Sequence, residues 1–248
     1  MTVKDIFNFL KSLYPVKAAM DFDNVGILIG NPESNVSKAL VVLDCTFEAV
    51  KIAKDNGCQL IVSHHPVIFI PLKTILKGSV QYEIIKNDLS VISMHTNLDT
   101  GLDGVNDVLC EVLGVENASS LPVSDGFTIK KGVLPSVSAN CLAKAIKERL
   151  GGGVKYVDGG RKITNVLVCG GSGGNYIEDA ISGGYDALIT ADVKHHHFLI
   201  AYDNNISLFD AGHFNTEDVV IDPLKQKLQK EFNDCNFLTF HPENIKFE

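Results

Sequence analysis

An α/β fold built from two related halves follows from three features of this 248-residue sequence. Apolar runs of strand length, such as Ala39-Leu40-Val41-Val42-Leu43, alternate with helix-length amphipathic runs such as 46–56. A weak internal repeat relates 38–44, a helix and 58–65 to 164–170, a helix and 185–192. Three apolar runs each end in imidazoles and carboxylates: Ser63-His64-His65-Pro66, His95-Thr96-Asn97-Leu98-Asp99 and Gly212-His213-Phe214-Asn215-Thr216-Glu217. In open α/β sheets the turns at the carboxyl ends of strands converge on one crevice, so a site between the strand ends of the two halves is expected.

The elements follow in order. Residues 1–11 carry charge among their apolar positions and lack a long apolar core or a small-residue cleavage site, which reads as a helix and not a signal peptide. The stretch Asp21-Phe22-Asp23-Asn24-Val25-Gly26 is a polar turn before the short apolar strand 27–29. Strand 39–43 leads to a helix over 46–56, with Thr46 as N-cap, Glu48 in the first turn, Ala49, Ile52 and Ala53 on one face, and Gly57 at its end. Strand 59–63 delivers His64 and His65, a helix covers 81–87, and strand 89–93 delivers His95 and Asp99. Helices over 105–113 and 140–150 end at Gly114 and Gly151. Strands over 164–170, 185–192 and 206–209 complete the second half, the last delivering His213 and Glu217.

Between the halves, 119–131 carries Pro122 and Gly126 and is the best boundary candidate. The expected division is 1–125, with the first two imidazole motifs, and 126–248, with Cys169-Gly170-Gly171-Ser172-Gly173, Asp192-Val193-Lys194-His195-His196-His197 and the third imidazole motif. A crossover of the chain between the halves is compatible with this division.

With 45% hydrophobic and 21% charged residues the chain reads as globular, and no run approaches membrane-spanning length. A net charge of −8 and a pI near 5.5 speak against nucleic acid or an anionic membrane as partner, although a local basic cavity could hold an anionic nucleotide. Six scattered cysteines, never at CxxC spacing, fit reduced thiols in a cytoplasm better than a disulfide framework.

The three imidazole motifs point to metal. Histidine and carboxylate without thiolate suit zinc, iron, manganese or nickel and not a structural zinc knuckle. Neighbouring strand residues point to opposite faces, so His64 and His65 are better placed to serve two ions side by side than to chelate one. Asp99 and Glu217 are the available bridging carboxylates. The expected ligand set is therefore His64, His65, Asp99, His213 and Glu217, with two divalent ions per chain. His95, in the same turn as Asp99, could be a ligand, a proton-transfer group or a residue that orients a carboxylate; the last two are preferred. Lys194-His195-His196-His197 reads as a helix start where only some imidazoles can face a cavity, the alternative being an exposed cluster. The Gly-rich run 169–174 matches neither a Walker A loop nor GxGxxG, and a tight turn is the stronger reading there.

In order along the chain, Asp23-Asn24-Val25-Gly26, the first two imidazole motifs, Gly104-Val105-Asn106-Asp107, Cys169-Gly170-Gly171-Ser172-Gly173 and the third imidazole motif resemble those of the NIF-three-like dinuclear-metal-centre proteins, also described as type 2 homologues of GTP cyclohydrolase 1. The resemblance spans essentially the whole chain. It implies two intertwined α/β domains, a homohexameric ring built as a trimer of dimers, and two metal ions facing an internal cavity on His64, His65, Asp99, His213 and Glu217. Two positions depart from the family pattern: Phe22 replaces a frequent tryptophan and Ala191 a glycine, both off the ligand set. Residues 126–162 have room only for a short strand, a helix and a further strand, so the inserted domain of longer members is not expected. The implied activity is a hydrolase in which the ions lower the pKa of a water to roughly 7 and direct the resulting hydroxide at a nucleotide or related ring, with His95 or His196 as proton shuttles. The alternatives are a phosphoester or cyclic-amide hydrolase on the same ions, or a metal-binding or regulatory interaction protein without turnover.

Overall fold

In the computed structural model, which describes residues 1–242, the chain forms two units: Met1–Leu102 joined by Ile221–Pro242, and Asp103–Val220. The chain thus leaves the first unit, builds the second and returns. The stretch 119–131 is not the passage between units. It is the turn of a hairpin inside the second, with Gly126 at φ +86°. Proline and glycine mark a tight turn and a linker alike, so composition could not tell them apart. Of the expected second half 126–248, positions 243–248 lie outside the described residues.

In the first unit, helix α1 (Val3–Leu13) opens with a capping box between Thr2 and Asp5 and buries Val3, Ile6 and Leu10 along one stripe. Strands β1 (Gly26–Ile29), β2 (Lys38–Val42), β3 (Leu60–Ser63) and β4 (Ser90–Ser93) form a sheet in the order β1-β4-β3-β2, and the C-terminal strand Asn236–Phe240 adds beside β2. All pairings are parallel except β1 with β4. Helices α2 (Phe47–Asp55) and α3 (Val80–Lys86) are capped by the Thr46 and Ser79 hydroxyls. They contribute Ala49, Val50, Ala53 and Ile84 to a core with Leu40, Val42, Ile61 and Val91. Strands covered in this way read as near-continuous apolar runs. A five-residue helix, α4 (Thr96–Thr100), follows β4 directly.

The second unit begins with α5 (Val105–Leu113), which ends at Gly114 in the left-handed region (φ +69°). Its sheet contains the hairpin β5 (Glu116–Pro122) and β6 (Thr128–Val137), then, after α6 (Ala139–Leu150), β7 (Lys155–Val157), β8 (Ile163–Ser172), β9 (Ala187–Ala191) and β10 (Ser207–Asp210), in the order β5-β6-β8-β9-β10-β7. Strands β8, β9 and β10 run parallel, the arrangement of β2, β3 and β4 in the first unit. Helices α7 (Ile177–Ser182) and α8 (His195–Asp203) link them, and a second five-residue helix, α9 (His213–Glu217), follows β10. Leu109, Leu113, Leu142 and Ile146 pack on Val166, Val168, Ile189 and Phe209.

Burial, helped by a neighbouring carboxylate, pushes Cys45 and Cys110 up to about 12, so both stay protonated thiols. No helix among the described residues is long and apolar enough to cross a membrane.

Candidate metal centre

Each unit presents a histidine–carboxylate group where its third parallel strand ends. In the first unit the pleat stops at Ser63, and beyond it His64 and His65 no longer alternate. Their ring centroids lie 4.9 Å apart, and those of His95 are 5.3 and 5.6 Å from them. One nitrogen from each of the three lies within 4.8 Å of the other two. The expectation that adjacent histidines diverge is thus corrected: strand alternation ends with the ladder, and the Ser63 hydroxyl, 2.8 Å from the His65 carbonyl, turns the chain there.

The imidazoles are oriented by their Nδ1 atoms. His64, fully buried, places Nδ1 2.8 Å from the Met94 carbonyl, which can only accept, so the ring carries its proton there. His65 Nδ1 meets Asp44 Oδ1 at 2.7 Å, and His95 Nδ1 meets Asp23 Oδ1 at 2.8 Å. Asp23 also accepts from the backbone of Asn24 and from the backbone and hydroxyl of Thr96, and its side chain is wholly buried. Burial alone would raise its pKa; the His95 and Thr96 hydrogen bonds outweigh it and bring the carboxyl down to about 2. Asp99, four residues after His95 on α4, sets Oδ1 3.4 Å from His64 Nε2.

The second unit repeats the pattern on α9. His213 Nδ1 lies 2.7 Å from Asp192 Oδ2, and its Nε2 lies 3.0 Å from Glu217 Oε2, one turn along the same helix. Burial disfavours charge on His213, but Glu217 and Asp192 overcome it and raise the pKa to about 9. Those carboxylates favour the protonated form of the His213 ring. Both short helices are held by the asparagine between histidine and acid: Asn97 donates to the Tyr14 carbonyl closing α1, and Asn215 to the Leu150 carbonyl closing α6. Each asparagine satisfies an orphan carbonyl at a helix C-terminus and so fixes where the acid points.

The Gly-rich run has its own role. Gly171 sits at φ +63°, and a Cβ there would strike the Glu217 carboxylate. Gly171 N–H donates to Thr216 Oγ1 and Gly170 N–H to Asn106 Oδ1, so the run is a close-packed wall against α9, in keeping with a tight turn. Gly171→Ala is expected to displace Glu217 and destabilise the fold by about 1–2 kcal/mol, the cost of a side chain in the left-handed region. Urea unfolding and metal content would both fall; unchanged values in both would refute the wall.

Of the other sequence candidates, His196 is exposed and meets the His197 ring edge-on at 4.2 Å. His197 is buried, and its Nδ1 lies 3.3 Å from the Lys194 N–H at the start of α8. Asp23, Asp44 and Asp192, which orient three of the imidazoles, were not picked out from sequence. The signals for two of them are local: Asp23 opens Asp23-Asn24-Val25-Gly26 and Asp192 opens the run that continues into His195-His196-His197.

All four oriented imidazoles (His64, His65, His95, His213) have Nδ1 engaged by a carboxylate or carbonyl, the partner set that fixes Nε2 as the metal-facing or proton-carrying atom. The donor chemistry of both groups therefore fits a divalent transition metal.

Comparison with known proteins identifies the relatives of this chain. The family described as Duf34/NIF3 (NGG1p interacting factor 3) matches residues 1–244. A Clostridium perfringens protein named GTP cyclohydrolase 1 type 2 homolog is 33% identical over 260 residues, covering 100% of this chain and 99% of that protein. One of the same name from Clostridium acetobutylicum is 32% identical over 242 residues, covering 92% and 90%. The crystal structure of a hypothetical protein from Staphylococcus aureus matches with a TM-score of 0.92 at 26% identity, covering 100% of this chain and 99% of that one. A Bacillus cereus protein related to NIF3 shares the fold, with a TM-score of 0.91 at 22% identity over 100% and 99%.

Proposed function

The chain belongs to the Duf34/NIF3 family, and from that membership we propose that it is a dinuclear metal-dependent hydrolase acting on a nucleotide or related ring, in line with the cyclohydrolase name its relatives carry. His64, His65, Asp99, His213 and Glu217 would hold two divalent ions, drawn from zinc, iron, manganese and nickel. The observation that carries the reading is the shared engagement of Nδ1 in His64, His65, His95 and His213, which in His64 and His213 turns Nε2 toward the carboxylates of Asp99 and Glu217. When bound, the ions supply activation of water near neutral pH and neutralisation of developing negative charge.

The chain's own residues do the rest. Asp23 keeps a proton on His95 Nδ1, so His95 takes up or gives a proton at Nε2. The buried Asp99 and Glu217 carry the negative charge that two cations need. His196 offers an exposed imidazole as a second proton carrier. A cytoplasmic homohexamer, a trimer of dimers, completes the reading, with light scattering expected to report about six times 26.9 kDa.

The test uses protein purified without an affinity tag. Elemental analysis should find two ions per chain, and a screen of nucleotides, phosphoesters and cyclic amides should find turnover that chelation abolishes and metal restores. At most one tightly held ion in the fully loaded protein, or ready metal exchange with no turnover of any of these, would overturn the hydrolase reading and favour a metal-binding or regulatory protein.

A further inference from the structure

Two aromatic rings stand in solvent beside His95, and the chemistry described so far makes no use of them. Phe22 is 63% exposed and Phe69 46%. Their centroids lie 6.2 Å apart, and the Phe69 ring meets His95 at 6.0 Å and 88°. Both rings sit on turns, yet these turns are tied down. Asn24, two residues after Phe22, donates its side-chain amide to the Ile68 carbonyl at 2.5 Å, and Gln81 donates to the Val67 carbonyl at 2.6 Å. Next to Phe22, Asp23 is locked by His95 and Thr96. The backbone that carries the rings is therefore held before any ligand arrives, and a surface borne on ordered turns loses less entropy on binding.

We propose that Phe22 and Phe69 form a stacking shelf for the planar heteroaromatic ring of the substrate, a purine-like bicycle, and seat that ring beside His95. The occupant follows from the chemistry of the surface. Exposed phenyl faces recognise a flat π-system through offset or edge-to-face contact, and an aliphatic ligand gains no such quadrupole term. Contact between Phe69 and the imidazole brings the stacked ring within reach of the proton-carrying residue. A second copy of the chain is the competing occupant. The tied geometry and the contact with His95 favour a small ring over a subunit contact, which would cover that imidazole. The proposal rests on the hydrolase reading for the reaction, though ring binding can be measured without turnover.

The experiment uses the full-length metallated protein and two probes, guanosine 5′-monophosphate and ribose 5-phosphate, titrated by calorimetry. Stacking of one base on one aromatic side chain corresponds to a loss of roughly 5- to 150-fold in affinity on alanine substitution. Phe69→Ala and Phe22→Ala should weaken the guanosine probe by a factor in that range. Phe69→Tyr should retain it, while affinity for ribose 5-phosphate and metal content stay at wild-type values. The shelf is overturned by unchanged guanosine affinity in both alanine variants, by equal weakening of both probes, or by no measurable guanosine binding to the wild type. Loss of hexamer mass in the variants with guanosine affinity intact would assign the rings to a subunit contact and also overturn it. Shelf-dependent binding without turnover of any substrate would sink the hydrolase reading alone, and turnover with shelf-independent binding would sink the shelf alone.

Discussion

Replacing His64 or His213 with alanine is expected to strip the protein of metal, because each change deletes a nitrogen whose ring is already oriented through Nδ1. Asp99→Ala and Glu217→Ala are expected to lower metal content as well, and, if each carboxylate is shared as proposed, to lower the occupancy of both ions together. The orienting acids provide a graded control. Asp44→Asn and Asp192→Asn keep the shape of the partner but weaken its pull on the ring, and should cost roughly 10- to 100-fold in metal affinity, less than loss of the ligand itself. Dialysis against buffered zinc followed by elemental analysis reads the whole series. Full retention of two ions in the His64 and His213 variants would remove both from the ligand set.

His95→Ala should separate proton transfer from metal binding. The variant is expected to keep two ions while turnover falls by roughly 10²–10⁴-fold, the loss typical of a missing general acid or base. Metal loss equal to that of His64→Ala would instead make His95 a ligand. Asp23→Asn should resemble His95→Ala in turnover and also alter acid stability. Burial opposes the Asp23 charge, but its hydrogen bonds from His95 and Thr96 prevail and hold the carboxyl at about 2, below its usual 3.8. The resulting stabilisation is fully present above the unfolded pKa, near pH 4, and is lost as pH falls through about 2. The stability gap between wild type and Asp23→Asn, read from urea midpoints, should therefore close between pH 4 and pH 2. A gap that is constant over that range would show that the carboxylate charge is not what stabilises this turn.

Both predictions depend on partners at very different distances along the chain, and that difference marks what could be read in advance. The parallel strands were legible because β2, β3, β4 and β9 are buried along their length, which leaves short apolar runs bounded by turn residues. Helix starts at Thr46 and the stop at Gly114 are local chemistry, written within four residues. The histidines and acids of the candidate centre stood out for the same reason, each lying just past a strand end. Pairings that close over long stretches were not legible. Asp44 and Asp192 reach their imidazoles across 21 residues and Asp23 reaches His95 across 72, and nothing in the local sequence says which acid will meet which ring. The same holds for Gly171, whose missing side chain makes room for a carboxylate 46 positions away, and for the return of Ile221–Pro242 to the first unit. Periodicity, capping and turn chemistry are properties of neighbours and act before the chain is folded. The orientation of an imidazole, the packing of a glycine against an acid and the unit a helix joins are set only when distant segments compete for the same buried space and hydrogen bonds. Tertiary structure alone decides those.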